Sequence, residues 1–229
     1  IVGPGNRYVS LAKQVASSYG VAMDMPAGPS ELAIMADGTA DKALVAWDIM
    51  AQAEHSEDSK VFLITTSRKL ADDVDEEIAS QVSRLRRGEV IRRSLARNGK
   101  AFIADDEEEA VSACNLIAPE HLSIQAKDAA RLSRKVRSCG TILMGRGSAC
   151  AIADYATGSS HILPTGGHAN VRGGLSVHDF VKLISVQRVD GKAIRARGCA
   201  SELAELEGFE AHGLSIAARD RRMPPTQRL

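Results

Sequence analysis

ELAIMADGTADKALVAWDIMAQAEHSEDSKVFLITTS, residues 31–67, is the stretch whose reading decides the fold. Its first part, Glu31–Asp37, is a short apolar run closed by Asp37-Gly38, a turn signal, and so predicts a strand. Residues 40–55, ADKALVAWDIMAQAEH, space their apolar side chains as a helix does. Residues 60–67, KVFLITTS, return to a short apolar run bounded by polar residues, a second strand. Strand, long amphipathic segment, strand is the signature of a parallel βαβ unit. The same alternation continues downstream. A charged helix is expected over about 68–97, with a break near Gly88, then a strand in KAFIADD (100–106) and a helix in DEEEAVSACNLI (106–117). The acidic first turn of that helix suits the positive end of a helix dipole. HLSIQ (121–125), KDAARLSRKVRS (127–138) and GTILMG (140–145) repeat strand, helix, strand. The expected architecture is α/β: a mostly parallel, doubly wound, incomplete Rossmann-like sheet followed by a small helical C-terminal region.

Working backward from Glu31, the chain begins at Ile1 and enters at once into Gly3-Pro4-Gly5-Asn6, so residues 1–30 are expected to be the remnant of a preceding cofactor-binding domain and the chain a fragment. Working forward, the pattern changes after Gly158. Residues 158–174 are rich in glycine and small polar residues, a long loop of the kind that is usually functional. Beyond Ser176, helices are expected over 177–188, 191–208 and 210–222, with a frayed tail at 223–229. The expected domains are therefore 1–30, 31–175 and a helical dimerisation region, 176–229.

Composition narrows the function classes. Lys+Arg and Asp+Glu both number 29, so no global field draws nucleic acid or an anionic membrane to the protein. Aromatic residues make up 3%, too few for the stacking platforms of single-strand binders. The run Arg84, Arg86, Arg87, Arg92, Arg93 follows acidic residues and reads as a solvated helix face. Cys114, Cys139, Cys150 and Cys199 form no CxxC pair and are expected to be reduced thiols. Without a long apolar span or a leader pattern, a cytoplasmic protein is expected, with neither nucleic acid nor membrane among its partners.

Ligands of open α/β sheets bind beyond the carboxyl ends of the strands, so polar residues at element exits carry the candidate chemistry. Gln52 and His55, three apart near a helix end, can converge on one ion, or His55 can cap the last carbonyls there. Glu120-His121 places a carboxylate beside an imidazole that titrates near neutrality. Neighbours on an extended strand point apart, so shared chemistry needs the turn that Pro119 favours; an exposed loop pair is the other reading. Asp154, His161 and His212, the last close after Glu207 and Glu210, are residue types that bind zinc, and equally fit turns and caps. Gly145-Arg146-Gly147-Ser148 is too short for a GxGxxG phosphate loop, and Gly28-Pro29-Ser30 fits ordinary turn chemistry.

Taken together and in order, GPGN (3–6), AGPSE (27–31), QAEH (52–55), APEHL (118–122), ADYATGSSHILPTGG (153–167), GLSVHDF (174–180) and EGFEAH (207–212) resemble histidinol dehydrogenase over essentially the whole chain. The resemblance implies an enzyme that oxidises L-histidinol through histidinal to L-histidine with two NAD molecules and one zinc per subunit. It implies Gln52, His55, Asp154 and His212 as zinc ligands and Glu120 and His121 as the acid/base pair. Ser30, Gln52, His55, His161 and Glu207 would contact substrate, and Asn6 the NAD cofactor. It further implies an intertwined homodimer in which a partner subunit supplies the last ligand and the neighbouring glutamate. Family members are nearly twice this length, so the chain would correspond to their C-terminal half, with an N-terminal half missing. Two other functions fit the same residues: a related dehydrogenase of another polar alcohol such as a sulfopropanediol, and a non-catalytic zinc-binding dimerisation module.

Overall fold

A computed structural model describes residues 1–26, 28–189 and 194–219. It divides into two compact units, Ile1–Val181 and Lys182–Leu229.

The first unit begins with helix α1 (Arg7–Ser17), which Asn6 caps by accepting hydrogen bonds from the amides of Tyr8 and Val9. The segment expected to be loop-like thus closes on a capped helix. Inside it, the Lys13 ammonium pairs with Asp24 at 2.7 Å, both side chains buried. Lys13 also donates to the Gly3 carbonyl, and Asp24 accepts from the Gly3 amide. Burial alone would raise the Asp24 pKa; these donors outweigh it and bring it down to about 2.

Then come β1 (Glu31–Ala36), α2 (Lys42–Ala53), β2 (Lys60–Thr65), α3 (Arg68–Gln81), α4 (Gly88–Asn98), β3 (Gly99–Ile103), α5 (Glu107–Ile117), β4 (His121–Gln125), α6 (Ala129–Ser133), β5 (Thr141–Met144) and α7 (Cys150–Tyr155). All four strand pairings are parallel, and the order is β3-β2-β1-β4-β5. The doubly wound sheet is thus wholly parallel. Alternate residues of β1 face opposite cores: Leu32, Ile34 and Ala36 pack with α2, α3, α4 and α7, while Ala33 and Met35 pack with α5 and α6. Each fully buried Leu or Ile contributes roughly 1.5–3 kcal/mol, and a strand buried on both faces needs no polar alternation.

The charged segment over 68–97 breaks as expected near Gly88: it is two helices joined by a 3-10 turn at Val82–Arg84, and Gly88 sits where a Cβ would lie 2.2 Å from the Val82 carbonyl oxygen. Two local expectations are corrected. The helix expected over 127–138 shrinks to α6, and the one over 177–188 to a 3-10 turn at Val177–Phe180. Residues 181–189 are neither helix nor strand, and Leu183, Ile184 and Val186 are exposed. Val177, Val181, Ile184 and Val186 are β-branched, with weak helix propensity, and a short helix needs a packed apolar face to persist.

The second unit, described by itself, holds α8 (Ile194–Leu206) and α9 (Glu210–Ala217), which pack on each other across a turn at Gly208, whose φ is +74°. The predicted helix over 191–208 is present from Ile194; the end of the one over 210–222 and the tail lie outside the described residues.

Candidate active site

Every strand of a parallel sheet starts at the same edge, and here the candidate residues gather at that edge. Ser30 precedes β1, Glu120 precedes β4 and His121 opens it. Helix α2 runs back against the strands and so returns Gln52, in its last turn, to their amino ends. The expectation that the site lies beyond the carboxyl ends is therefore corrected. The sequence shows where polar residues sit relative to elements, but the direction of the returning helices decides which edge they reach.

Helix α5 ends on Ala118, which adopts a left-handed conformation (φ 49°, ψ 59°), and Pro119 follows. That turn rotates Glu120 out of strand alternation, so Glu120 and His121 share one side despite being adjacent. The Glu120 Oε2 accepts from Ser30 Oγ at 2.7 Å and from the Glu31 amide at 2.9 Å. Gln52 Nε2 donates to Ser30 Oγ at 2.7 Å. His121 Nδ1 stands 3.6 Å from Glu120 Oε2 and 3.4 Å from the Glu31 carbonyl oxygen, while its Nε2 stands 3.7 Å from Asp154 Oδ1. Gln52, Ser30, Glu120, His121 and Asp154 thus form one continuous polar chain.

His121 Nε2 is buried and has no hydrogen-bond partner among the described residues. Buried imidazole nitrogens are normally satisfied, so an orphan beside a carboxylate marks a place prepared for something else. Burial pushes the His121 pKa down, but the Glu120 hydrogen bond and charge, then the Asp154 charge, outweigh it and hold the pKa above its ordinary value. Cys150, close by, is pushed up to about 12 by burial and then by the negative charges of Asp48, Asp154 and Glu120. Its thiol is neutral and no nucleophile.

The glycine-rich loop is fastened over the same edge. Gly28 N donates to Thr165 Oγ1 at 2.7 Å and Gly166 N to Glu31 Oε2 at 3.1 Å, and Glu31 Oε1 is paired with Lys60 at 2.9 Å. Gly140 lies under it: a Cβ there would sit 2.5 Å from the Glu120 carbonyl oxygen and 3.2 Å from Leu163 and Pro164. His161, in that loop, and His55, just past α2, are exposed, and the His55 carbonyl accepts from Arg87 Nη2 at 3.5 Å. Glu207 and His212 belong to the second unit, where the His212 ring lies 5.1 Å from that of Phe209. A cavity of about 650 Å³ lined by Arg68, Asp72 and Phe102 lies along β3 and includes no candidate residue.

Four residues were not singled out from sequence: Glu31, Asp48, Ser123 and Gln125, all buried. A signal for them exists. In β4, His121, Ser123 and Gln125 alternate with Leu122 and Ile124, so one face of a buried strand is polar, and Asp48 and Gln52 stand four apart on an otherwise apolar helix.

A family profile described as histidinol dehydrogenase matches residues 1–220. The chain belongs to the histidinol dehydrogenase family. Histidinol dehydrogenase from Legionella pneumophila strain Philadelphia 1 is 43% identical over 222 residues, and that from Bacteroides fragilis strain YCH46 is 40% identical over 220. Each alignment covers 96% of this chain and 51% of the relative. A crystal structure of histidinol dehydrogenase from Elizabethkingia anophelis superposes with a TM-score of 0.90 at 37% identity, covering 96% of this chain and 51% of that one. The chain spans about half the length of the family relatives it matches.

The residues fit a borderline divalent cation in kind. Gln52 uses Nε2 on Ser30, which leaves Oε1 as its free end; Asp154 offers a carboxylate beside an orphaned imidazole; His55 offers an exposed ring. Among the described residues no three of His, Cys, Asp and Glu group to hold a metal ion.

Proposed function

We propose that this chain carries the acid/base and metal-binding part of a zinc-dependent, NAD-linked enzyme that oxidises L-histidinol through histidinal to L-histidine. The observation that carries the reading is the buried His121 ring, with Glu120 beside Nδ1 and Asp154 beside an Nε2 that has no hydrogen-bond partner among the described residues.

His121 accepts the alcohol proton, and the adjacent carboxylates stabilise the imidazolium that results; NAD, when bound, would supply the hydride acceptor. In the second half, Glu120 draws a proton from water, the oxygen adds to the aldehyde carbon, and a second hydride leaves to give the carboxylic acid. Two hydrides leave one substrate, so two NAD molecules are reduced per turnover. Ser30 and the Glu31 amide hold the Glu120 carboxylate in place for this task. Gln52, His55 and Asp154, with His212 supplied by a second copy in a homodimer, would hold zinc, which would bind the substrate's amine and imidazole and so orient the reacting carbon. His161 and Glu207 would bind the substrate's polar ends. Asn6 spends Oδ1 on its helix cap and keeps its amide NH2 for NAD.

The test is an assay of the chain, expressed with any in-frame sequence preceding Ile1, for NADH formation from L-histidinol with zinc present. Two NADH per histidine support the reading. A zinc-loaded preparation that forms no NADH from histidinol, yet oxidises a sulfonated propanediol, overturns it.

A further inference from the structure

Two buried carboxylates around the site take no part in the chemistry above: Glu31, which pairs with Lys60 and fastens the loop at Gly166, and Asp48. Asp48 lies in the middle of α2, 8% exposed, and its two oxygens are divided between two elements. Oδ1 accepts from the Cys150 amide at 3.3 Å and Oδ2 from Gln125 Nε2 at 3.0 Å. Cys150 is the first residue of α7, a six-residue helix whose own capping position, Ala149, makes no side-chain cap. The free amides of a helix start need an acceptor, and here another helix provides it.

The spacing gives that bond a purpose. Asp48 and Gln52 are four apart on α2; Cys150 and Asp154 are four apart on α7. Residues four apart share a helical face and are separated by about 6 Å of rise. The two helices pack on each other, and Gln52 and Asp154 both reach the Ser30–Glu120–His121 chain. They therefore run side by side in one direction, joined one turn upstream of the two candidate metal ligands. We propose that Asp48 is a positioning residue: its bond to the Cys150 amide fixes the register of α7 against α2 and so sets where the Asp154 carboxylate stands relative to Gln52 and His121. The consequence for metal binding rests on the functional reading above; the register itself does not.

Stability does not account for this carboxylate. Its burial outweighs both hydrogen bonds and holds its pKa above the ordinary value, so as an anion it opposes folding. A leucine-like core residue would fill the space without that cost.

The experiment uses the full chain and four variants. Asp48→Ala removes the acceptor. Asp48→Asn keeps Oδ1 for Cys150, and a flipped Gln125 amide can turn its Oε1, which has no partner now, toward the new amide group. Cys150→Pro removes the same N–H from the other side; proline is tolerated at a first helical position, and Ala149, at ψ 140°, already has the conformation that precedes proline. Asp154→Ala reports on the metal reading alone. With zinc as the titrant in calorimetry, Asp48→Ala and Cys150→Pro should each weaken binding at least tenfold, the double variant no further, and Asp48→Asn should stay within threefold of the parent. Crystal structures of Asp48→Ala or Cys150→Pro should show Asp154 displaced from its 3.7 Å position beside His121 Nε2. An unchanged Asp154 position in these structures overturns the proposal, as does parental zinc affinity in both variants while Asp154→Ala loses it. If Asp154→Ala itself binds zinc like the parent, the metal reading falls and the crystal structures still judge Asp48. Should Asp48→Ala fail to fold, Cys150→Pro and Asp48→Asn carry the same test.

Discussion

The two edges of the sheet are built from similar residues and behave differently. At the carboxyl edge, polar groups are satisfied, mostly locally: Asp37 accepts from the Thr39 amide and hydroxyl, Thr65 Oγ1 from the Ser67 amide, and Ser67 Oγ from the Leu70 amide, with one bond between elements, from the Lys127 amide to Asp37. These bonds define turns and start helices. At the amino edge, Gln52, Ser30, Glu120–His121 and Asp154 come from four separate places in the chain, and their bonds run between elements and include a nitrogen with no partner among the described residues. A self-satisfied polar cluster serves the fold; a cluster left one partner short is held for a ligand.

The sharpest way to break this contrast is to remove one residue from each edge. His121→Asn should lower kcat for histidinol oxidation by ~10²–10⁴-fold, the usual range for a lost acid/base group. Ser67→Ala should cost ~1 kcal/mol of stability as a lost helix cap and leave kcat alone. Equal losses of kcat in steady-state assays would erase the distinction between the edges.

Burial of charge by itself can be separated from function at a third place, the Lys13–Asp24 pair. Lys13→Ala strands Asp24 in the interior and should cost ~3 kcal/mol by urea denaturation, as buried pairs do when one partner is removed. The parent's pH dependence follows from the depressed Asp24 pKa. Its contribution is present above the ordinary carboxylate value of 3.8 and disappears as pH falls toward about 2. A parent and a Lys13→Ala variant that lose stability in parallel over that interval would refute the assignment.

Gly140→Ala sharpens the contrast from the backbone side. The added methyl meets the Glu120 carbonyl oxygen, which cannot swing aside as a side chain does, and overpacking of this kind costs roughly 1–3 kcal/mol. Both Tm and kcat should fall, because the displaced residue is the carboxylate's own backbone; a lowered Tm with unchanged kcat would contradict this. The smallest effect belongs to Asp37→Ala, about 1 kcal/mol for its lost turn bonds, without change in KM or kcat. The Asp37 pKa is lowered: burial opposes, but the Thr39 hydroxyl and the Lys127 and Thr39 amides prevail. Its share of stability is thus present above the carboxylate range and lost as acid is added, measurable as the pH dependence of the difference between variant and parent.

Much of the fold was legible in residues 31–67, because apolar runs of strand length separated by a helical spacing admit few architectures. The strand runs 121–125 and 140–145 were equally plain. The helix expected over 177–188 failed where its apolar residues have no packed face, a matter of tertiary contact that periodicity does not contain. The site was legible as residue types and order, through Glu120, His121, Gln52 and Asp154. Pro119 announced the turn that brings Glu120 to His121, though not the left-handed Ala118 that makes it; the location was not legible, since the direction of the returning α2 decides which edge Gln52 reaches. Asp48 was passed over for a similar reason: its partner is the amide of Cys150, and backbone groups leave no trace in a sequence.

The amino-edge location also sets the sign of the local field. A helix that follows a strand and runs back beside it delivers its C-terminal end to the strand's start, and that end carries a partial negative charge from unpaired carbonyls. Helix α2 does this with twelve residues, and α7 adds a shorter one, where Glu120 and Asp154 already stand. The edge is therefore an electrostatic sink for cations, suited to a divalent metal or an ammonium group. The opposite edge, where helix N-terminal ends emerge, is the natural berth for phosphate. A positively charged ligand of a sheet built this way gains from the end at which the returning helices finish.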